Sequence, residues 1–419
     1  MKMKNKSKKN QNIRKDIFWN TLGSGINAFN SLFFLIVVTR INGIDDAGIF
    51  TLAFSTANFF NIIGVYSGRV YQVTDTSSIT DNDYFFHKIL TCLSMLFISF
   101  MFIKIKHYSL WKSSIVLVLC LLKTFEAFSE VAYAFFQKEY ALYKVGISLT
   151  LKNLIGFIVF LLTDSLTRNV LASSVMLVIT YILIVFFYDC RNICLKKFNL
   201  QKVNKEHILA IFKKGFFAFC LSFLSMYILN IPRYVIDANM EDSFSTIFGI
   251  LIMPASVVVL IAQFILHPFL MNLKTALEVD IKKFTITIIK MVALVFLFGV
   301  LSTIASYMFG IPLLELIYKL DLKEYKSSLV IVMCGATLYG SVAMLSNILI
   351  SMRVIFRQTI VDVIGVVISL ILSNYFTIKD GVNGACLAYC ITMLALFILF
   401  VLLTITSILK QKREVNNNA

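Results

Sequence analysis

The sequence predicts an all-α polytopic membrane protein, with twelve transmembrane helices arranged as two six-helix bundles. Three observations lead there: an apolar composition, the recurrence of apolar windows of spanning length, and the placement of basic residues between those windows. Of the 419 residues, 58% are hydrophobic and only 15% are charged, and the mean hydropathy is +0.83. A soluble domain of this length has no interior large enough to hide so much apolar surface.

A spanning helix needs about 20 mainly apolar residues, because the hydrocarbon layer is about 30 Å thick and a helix rises about 1.5 Å per residue. In the first half, windows of that size run over 17–39, 47–67, 85–104, 110–136, 142–163 and 168–189. In the second half they run over 208–231, 244–269, 284–308, 327–352, 357–376 and 382–409. The longest connections are 190–207, basic and cytoplasmic, and 309–326, external; neither is long enough for a soluble domain.

The net charge of +16 suggests nucleic acid at first sight, but the cations lie in short loops, which is the pattern that orients membrane proteins. With the amino terminus inside, 23 Lys and Arg fall on inner segments and ten on outer ones. Both termini are therefore expected in the cytoplasm, and no nucleic-acid partner is implied. The tail, residues 1–15, has seven basic residues and no acid, so it serves topology and is suited to anionic membrane lipids. A cleaved signal peptide is disfavoured, since the first window carries Asn20, Asn27 and Asn30 and no small-residue cleavage site.

Segment 190–207 divides the chain into a first bundle over 16–189 and a second over 208–410, with a cytoplasmic tail at 411–419. Duplication in one orientation is the arrangement expected for such halves. Arg40 followed by Asp45 and Asp46 after the first window matches Arg233 followed by Glu241 and Asp242 after the seventh. Tyr143 and Lys144 likewise match Phe356 and Arg357 at the openings of the fifth and eleventh windows.

Ionisable side chains inside the bilayer cost about 2.5–3.5 kcal/mol on insertion scales, so they face a partner or water. Window 110–136 places Lys123, Glu126 and Glu130 at i, i+3 and i+7, on one face. Lys152 lies midway along the next window with no acid within one turn, and Ser148 and Asn153 are close by. One reading is a cationic cavity in which Lys123 and Lys152 attract an anionic group, while Glu126 and Glu130 balance charge or carry protons. The other is a Lys123–Glu126 pair that only holds helices together.

Asn20, Ser24, Asn27 and Ser31 form a polar stripe on the first window, and Ser55, Thr56, Asn58 and Asn61 add polar groups to the second. Such stripes glue helices together or line an aqueous path. Pro232 and Pro254 are expected to interrupt helix near that path, while Asp362 sits one turn inside its window, near the cytoplasmic interface.

The eight cysteines lie mostly in apolar windows and read as packing residues; Cys190 and Cys194 alone make an incomplete metal site. There is no phosphate-cradling glycine loop, and the four histidines are scattered. The chain therefore reads as a transporter rather than an enzyme, with no cofactor or metal implied.

Several segments, in order and spacing, resemble the polysaccharide-transporter family of the multidrug/oligosaccharidyl-lipid/polysaccharide flippase superfamily. They are IFWNTLGSGINAFNSLFFLIVVTRINGIDDAGIFTLAFSTANFF, GVYSGRVYQVTD, ILNIPRYVID with IFGILIMPASVVVLIAQFILHPF, and IYKLDLKEYKSSLVIVMCG. The resemblance implies an alternating-access architecture in a bacterial cytoplasmic membrane. Its implied substrate is an oligosaccharide repeat unit on undecaprenyl diphosphate, flipped outward for capsule or O-antigen, with polymerase machinery downstream. It also implies cavity roles for Arg69 and Arg233, beside anchoring at the inner and outer interfaces. The alternatives are an ion-coupled drug antiporter, which prefers an acidic cavity, a flippase for the peptidoglycan lipid precursor, and a membrane-bound polymerase.

Overall fold

A computed structural model describes residues 2–66, 68–74, 79–193, 203–266 and 281–418. The expectations on Cys194, on Lys196, Lys197, Lys202 and Lys274, and on most of segment 190–207 lie outside these residues. The described elements are helices, and the chain divides into two compact units, 1–219 and 220–419.

In the first unit the helices are α1 (Lys2–Ile41), α2 (Ile44–Val65), α3 (Gly68–Thr74), α4 (Asp81–Lys106), α5 (Leu110–Lys138), α6 (Leu142–Thr167) and α7 (Val170–Ile193). Their starts follow local chemistry. Thr80 and Asp83 form a capping box that opens α4, while Ser109 and Asn169 accept from the first-turn amides of α5 and α7. Gly43, at φ 99°, makes the turn into α2 that other residues resist.

Helix α5 is the centre of this unit, packing against α2, α3, α4, α6 and α7, while α1 lies chiefly along α6. Gly23 of α1 and Gly146 of α6 allow this close approach. A Cβ on Gly146 would stand 2.1 Å from the Trp19 carbonyl carbon, and one on Gly23 would stand 2.5 Å from the Gly146 oxygen. Residues 185–190 of α7 wind as a π-helix.

Helix α8 (Lys205–Asn239) begins in the first unit and ends in the second. In the second unit, α9 (Asp242–Leu266), α10 (Ile281–Tyr318) and α12 (Ile355–Asn418) pack on α11 (Lys326–Ser351). The run α12 is two helices joined at a kink, where Asp380 (φ −125°, ψ 15°) and Gly381 (φ 61°, ψ −136°) leave helical geometry.

Among the described residues ten helices are long and apolar enough to cross a membrane. Helix α5 falls outside that set despite its length of 29 residues, and Lys123, Glu126 and Glu130 are the charges along its apolar stretch.

Two expectations need correction. Segment 309–326, expected as an external connection, is largely helical, since α10 passes through a π-helical turn at Ser306–Gly310 and ends at Tyr318. Pro232 and Pro254 lie inside continuous helices rather than interrupting them. A proline deprives only one carbonyl of its partner, and at Pro232 that carbonyl, Ile228 O, lies 3.5 Å from the Ser369 hydroxyl.

Candidate functional site

The charged face of α5 is the axis of the site, and the structure distributes its groups among three environments. Nearest the start of α5, Lys123 Nζ bonds Glu126 Oε2 at 2.6 Å and lies 5.0 Å from the centre of the Phe54 ring. The i,i+3 pairing anticipated from spacing therefore forms. It leaves Lys123 engaged on its own helix, with both side chains largely covered.

One turn further along, Glu130 lines a small pocket with Arg69, Gln72, His87, Lys88 and Tyr66. Arg69 is carried into it by the short helix α3, and it makes no ion pair among the described residues. Lys88 is buried and donates to the carbonyls of Gly64 at 2.9 Å and Val65 at 2.6 Å, while Thr91 donates to Gly64 O at 2.8 Å. Those carbonyls end α2, so the ammonium sits where the helix dipole is negative. His87 is buried against the rings of Tyr66 and Phe212, and its Nε2 finds no partner among the described residues. The pocket thus combines two cations, one imidazole and one carboxylate. Lys88 and His87 escape a sequence reading because they lie near the start of their helix, where charges are expected to snorkel.

In the third environment Lys152, which has no acid within one turn, receives one from another helix. Its ammonium contacts Asp189 Oδ2 at 2.5 Å, Ser129 Oγ at 2.6 Å and the Tyr133 hydroxyl at 3.1 Å, and all three donors are used. Both charged side chains are 1% exposed. Tyr133 also meets Ser148 at 3.0 Å. The acid comes from the π-helical stretch of α7, 37 positions along the chain, so inspection of one helix turn cannot find it. Lys152 is accordingly enclosed rather than offered to a cavity.

The stripe of α1 is divided. Ser24 and Asn27 are exposed, and Asn20 and Ser31 are half-buried. The buried polar residue is Asn30, which donates to Asn153 Oδ1 at 2.7 Å; Tyr181 donates to the same oxygen at 3.0 Å. On α2, Ser55, Asn58 and Asn61 are half-buried and Thr56 is buried. Polar groups are thus presented outward from two helices that are otherwise apolar.

In the second unit, Arg233 is half-buried, with its guanidinium 6.0 Å from the centre of the Phe248 ring. Asp362 is buried, with Oδ2 unpartnered among the described residues. Arg69 and Arg233 belong to different units.

Helices of spanning length that carry buried charge and exposed polar groups define a multi-pass membrane protein fold. Solved transporters of the MOP superfamily share it. An inward-facing multidrug resistance MATE family transporter of that superfamily matches with a TM-score of 0.69 at 11% identity, over 92% of this chain and 96% of that one. The lipid II flippase MurJ, in an inward closed conformation, matches at 0.68 and 16% identity, over 93% and 89%. An outward-facing MATE transporter matches at 0.62 and 12%, over 97% of both chains. In sequence, the chain is distantly homologous to the capsular polysaccharide biosynthesis protein CapF of Staphylococcus aureus, 28% identical over 343 residues, 79% of this chain and 82% of CapF. No family model matches.

Proposed function

We propose that this protein flips undecaprenyl-diphosphate-linked oligosaccharide repeat units from the inner to the outer leaflet of a bacterial cytoplasmic membrane, for capsule or related surface glycan. The observation that carries the reading is the relationship to a capsule biosynthesis protein over four-fifths of the chain. The fold is compatible, since a lipid II flippase shares it.

The charges around the water-sized pocket beside Glu130 suit phosphate oxygens, and a diphosphate enters as the pocket opens. Arg69 supplies a planar guanidinium for bidentate bonding to phosphate oxygens, Lys88 adds a second positive charge, and neutral His87 can donate from Nε2 in its Nε2–H tautomer. Glu130 competes with the anion for those cations and so permits release. The stripe of Asn20, Ser24, Asn27 and Ser31, together with Ser55, Asn58 and Asn61, provides the hydrogen-bonding wall that sugars need in place of water. Lys123 with Glu126 balances charge beside this path, and Arg233 serves the outer end.

The topology accompanying this mechanism has twelve spans: the ten helices above, α5, and a further one from division of α12 at Gly381. Two six-helix bundles then alternate access between the faces, both termini are cytoplasmic, and the exported unit passes to a polymerase.

The likeness to a lipid II flippase supports a second reading, transport of the peptidoglycan precursor. Both are tested by the lipid-linked intermediates of a strain lacking the gene. Accumulated oligosaccharide diphospholipid with loss of surface glycan, restored by the wild-type gene and not by Arg69→Ala, is the expected result. Unchanged glycan with raised sensitivity to cationic drugs replaces this function with drug export, and accumulated lipid II replaces the substrate.

A further inference from the structure

In the second unit, the turn that joins α11 to α12 meets the far end of α12, because the chain reverses at the Asp380–Gly381 kink and runs back along α11. Together they enclose a cleft of about 280 Å³, whose lining includes Arg353, Phe356, Arg357, Ser407, Lys410 and Gln411. Three of those side chains are cationic, and no carboxylate among the described residues lines the cleft. Arg353 is placed by the turn that ends α11. At φ 60° it is the left-handed residue there, donating its N–H to Ile350 O at 3.0 Å, while Val354 N–H donates to Leu349 O at 3.0 Å. Arg357 follows on the first turn of α12. Both arginines are exposed, and neither makes an ion pair among the described residues.

We propose that this cleft binds the phosphodiester headgroup of an anionic membrane phospholipid. Like charges gathered without an acid repel one another, so the arrangement gains from an anion between them. One water needs only about 10–15 Å³, so the cleft holds far more than ordered solvent. The arginines offer planar forks for bidentate bonding to phosphate oxygens, and Lys410 adds a mobile third charge. Apolar rows lead away from the same place. Phe356, Ile360 and Val363 are exposed along the first half of α12, and Leu402, Ile405 and Leu409 along the second. Acyl chains can lie on them, whereas a free phosphate leaves them without use. Basic pockets between spanning helices suit lipid headgroups on the cytoplasmic side, the face on which the charge pattern of the sequence puts this end. The cleft belongs to the second unit and Arg69 to the first, so the inference does not depend on the flippase reading.

The test titrates the full chain, in an uncharged detergent, with dioctanoyl phosphatidylglycerol and follows binding by calorimetry. Arg353→Gln and Arg357→Gln are each expected to weaken binding about fivefold, the weight of one basic residue near an anionic surface, and the double variant about twentyfold. Lys205→Gln with Lys282→Gln removes the same charge from exposed positions on α8 and α10, and is expected to change affinity less than about twofold. In nanodiscs, phosphatidylglycerol in place of phosphatidylcholine is expected to raise the Tm of the wild type and not that of the double arginine variant.

Wild-type affinity in the double arginine variant overturns the inference, and so does an equal loss in the lysine pair, which marks diffuse attraction to a basic surface. Inorganic phosphate that displaces the lipid at equal concentration assigns the cleft to a free anion and overturns the lipid. Lys410→Gln serves if the arginine variants do not fold. It is expected to weaken binding about fivefold, and unchanged affinity there overturns the inference as well.

Discussion

Replacing Gly146 by Ala tests whether the α1–α6 crossing is as tight as the geometry states. The added methyl would lie 2.1 Å from the Trp19 carbonyl carbon, 2.2 Å from its oxygen and 2.5 Å from the Asn20 nitrogen. These are backbone atoms, so no side-chain rotation relieves the clash, and ordinary carbon contacts need about 3.5–4.0 Å. The helices must part by about 1 Å or more along the face where Asn30 meets Asn153 at 2.7 Å. Overpacking of this kind costs about 1–3 kcal/mol, and stretching the buried amide contact adds about 1 kcal/mol.

The assay is thermal unfolding of purified protein in detergent, monitored by tryptophan fluorescence, because Trp19 sits at the contact. Gly146→Ala should lower the apparent Tm by several degrees, and Gly23→Ala should do so less. The double variant should fall short of the sum, since one separation of the helices accommodates both methyls. Wild-type melting of Gly146→Ala, or full additivity, would refute the reasoning.

Further outcomes follow from the same geometry. Glu126→Gln strands the Lys123 ammonium over Phe54 and should slow transport more than the double variant Lys123→Met with Glu126→Gln, which a complementation assay of surface glycan will rank. Asp83→Asn disturbs the capping box of α4 and the contacts to Asn204 N and His207, so it should cost about 1–2 kcal/mol in thermal unfolding. His207→Ala removes one partly exposed partner and should cost less than about 1 kcal/mol in the same assay. Gly381→Ala forces a side chain into φ 61°, ψ −136° at the kink of α12, and should cost about 1–3 kcal/mol without changing helix content by circular dichroism.

The helices were legible because spanning segments announce themselves by length and apolarity, and among the described residues ten helices are long and apolar enough to cross a membrane. Their ends were less so. Window 284–308 stopped at the polar turn before Ile311, yet the chain continues helical to Tyr318, since backbone groups near the bilayer gain more from helix than from an open turn.

Legibility of the site split along the same line between local and distant contacts. Lys123 and Glu126 pair within one turn, which spacing reveals. Asp189 reaches Lys152 from another helix, and Asn30 rather than the Asn27 beside it faces Asn153; both depend on how helices rotate about their axes when packed. Periodicity cannot fix that rotation in a helix such as α6, where apolar residues cover nearly every face.

The π-helical turn at Val185–Cys190 makes α7 sensitive to chain length in a way that substitution would not reveal. A regular helix turns about 100° per residue, and a π-turn absorbs one residue more than its α-helical counterpart. Deleting one residue from this stretch would let it relax to α-helix, a change the bilayer tolerates, leaving the flanking turns in register while re-aiming the residues inside the stretch. Asp189 would then leave Lys152 although no side chain had been altered. The register of α7, no less than its composition, is what holds the buried pair together.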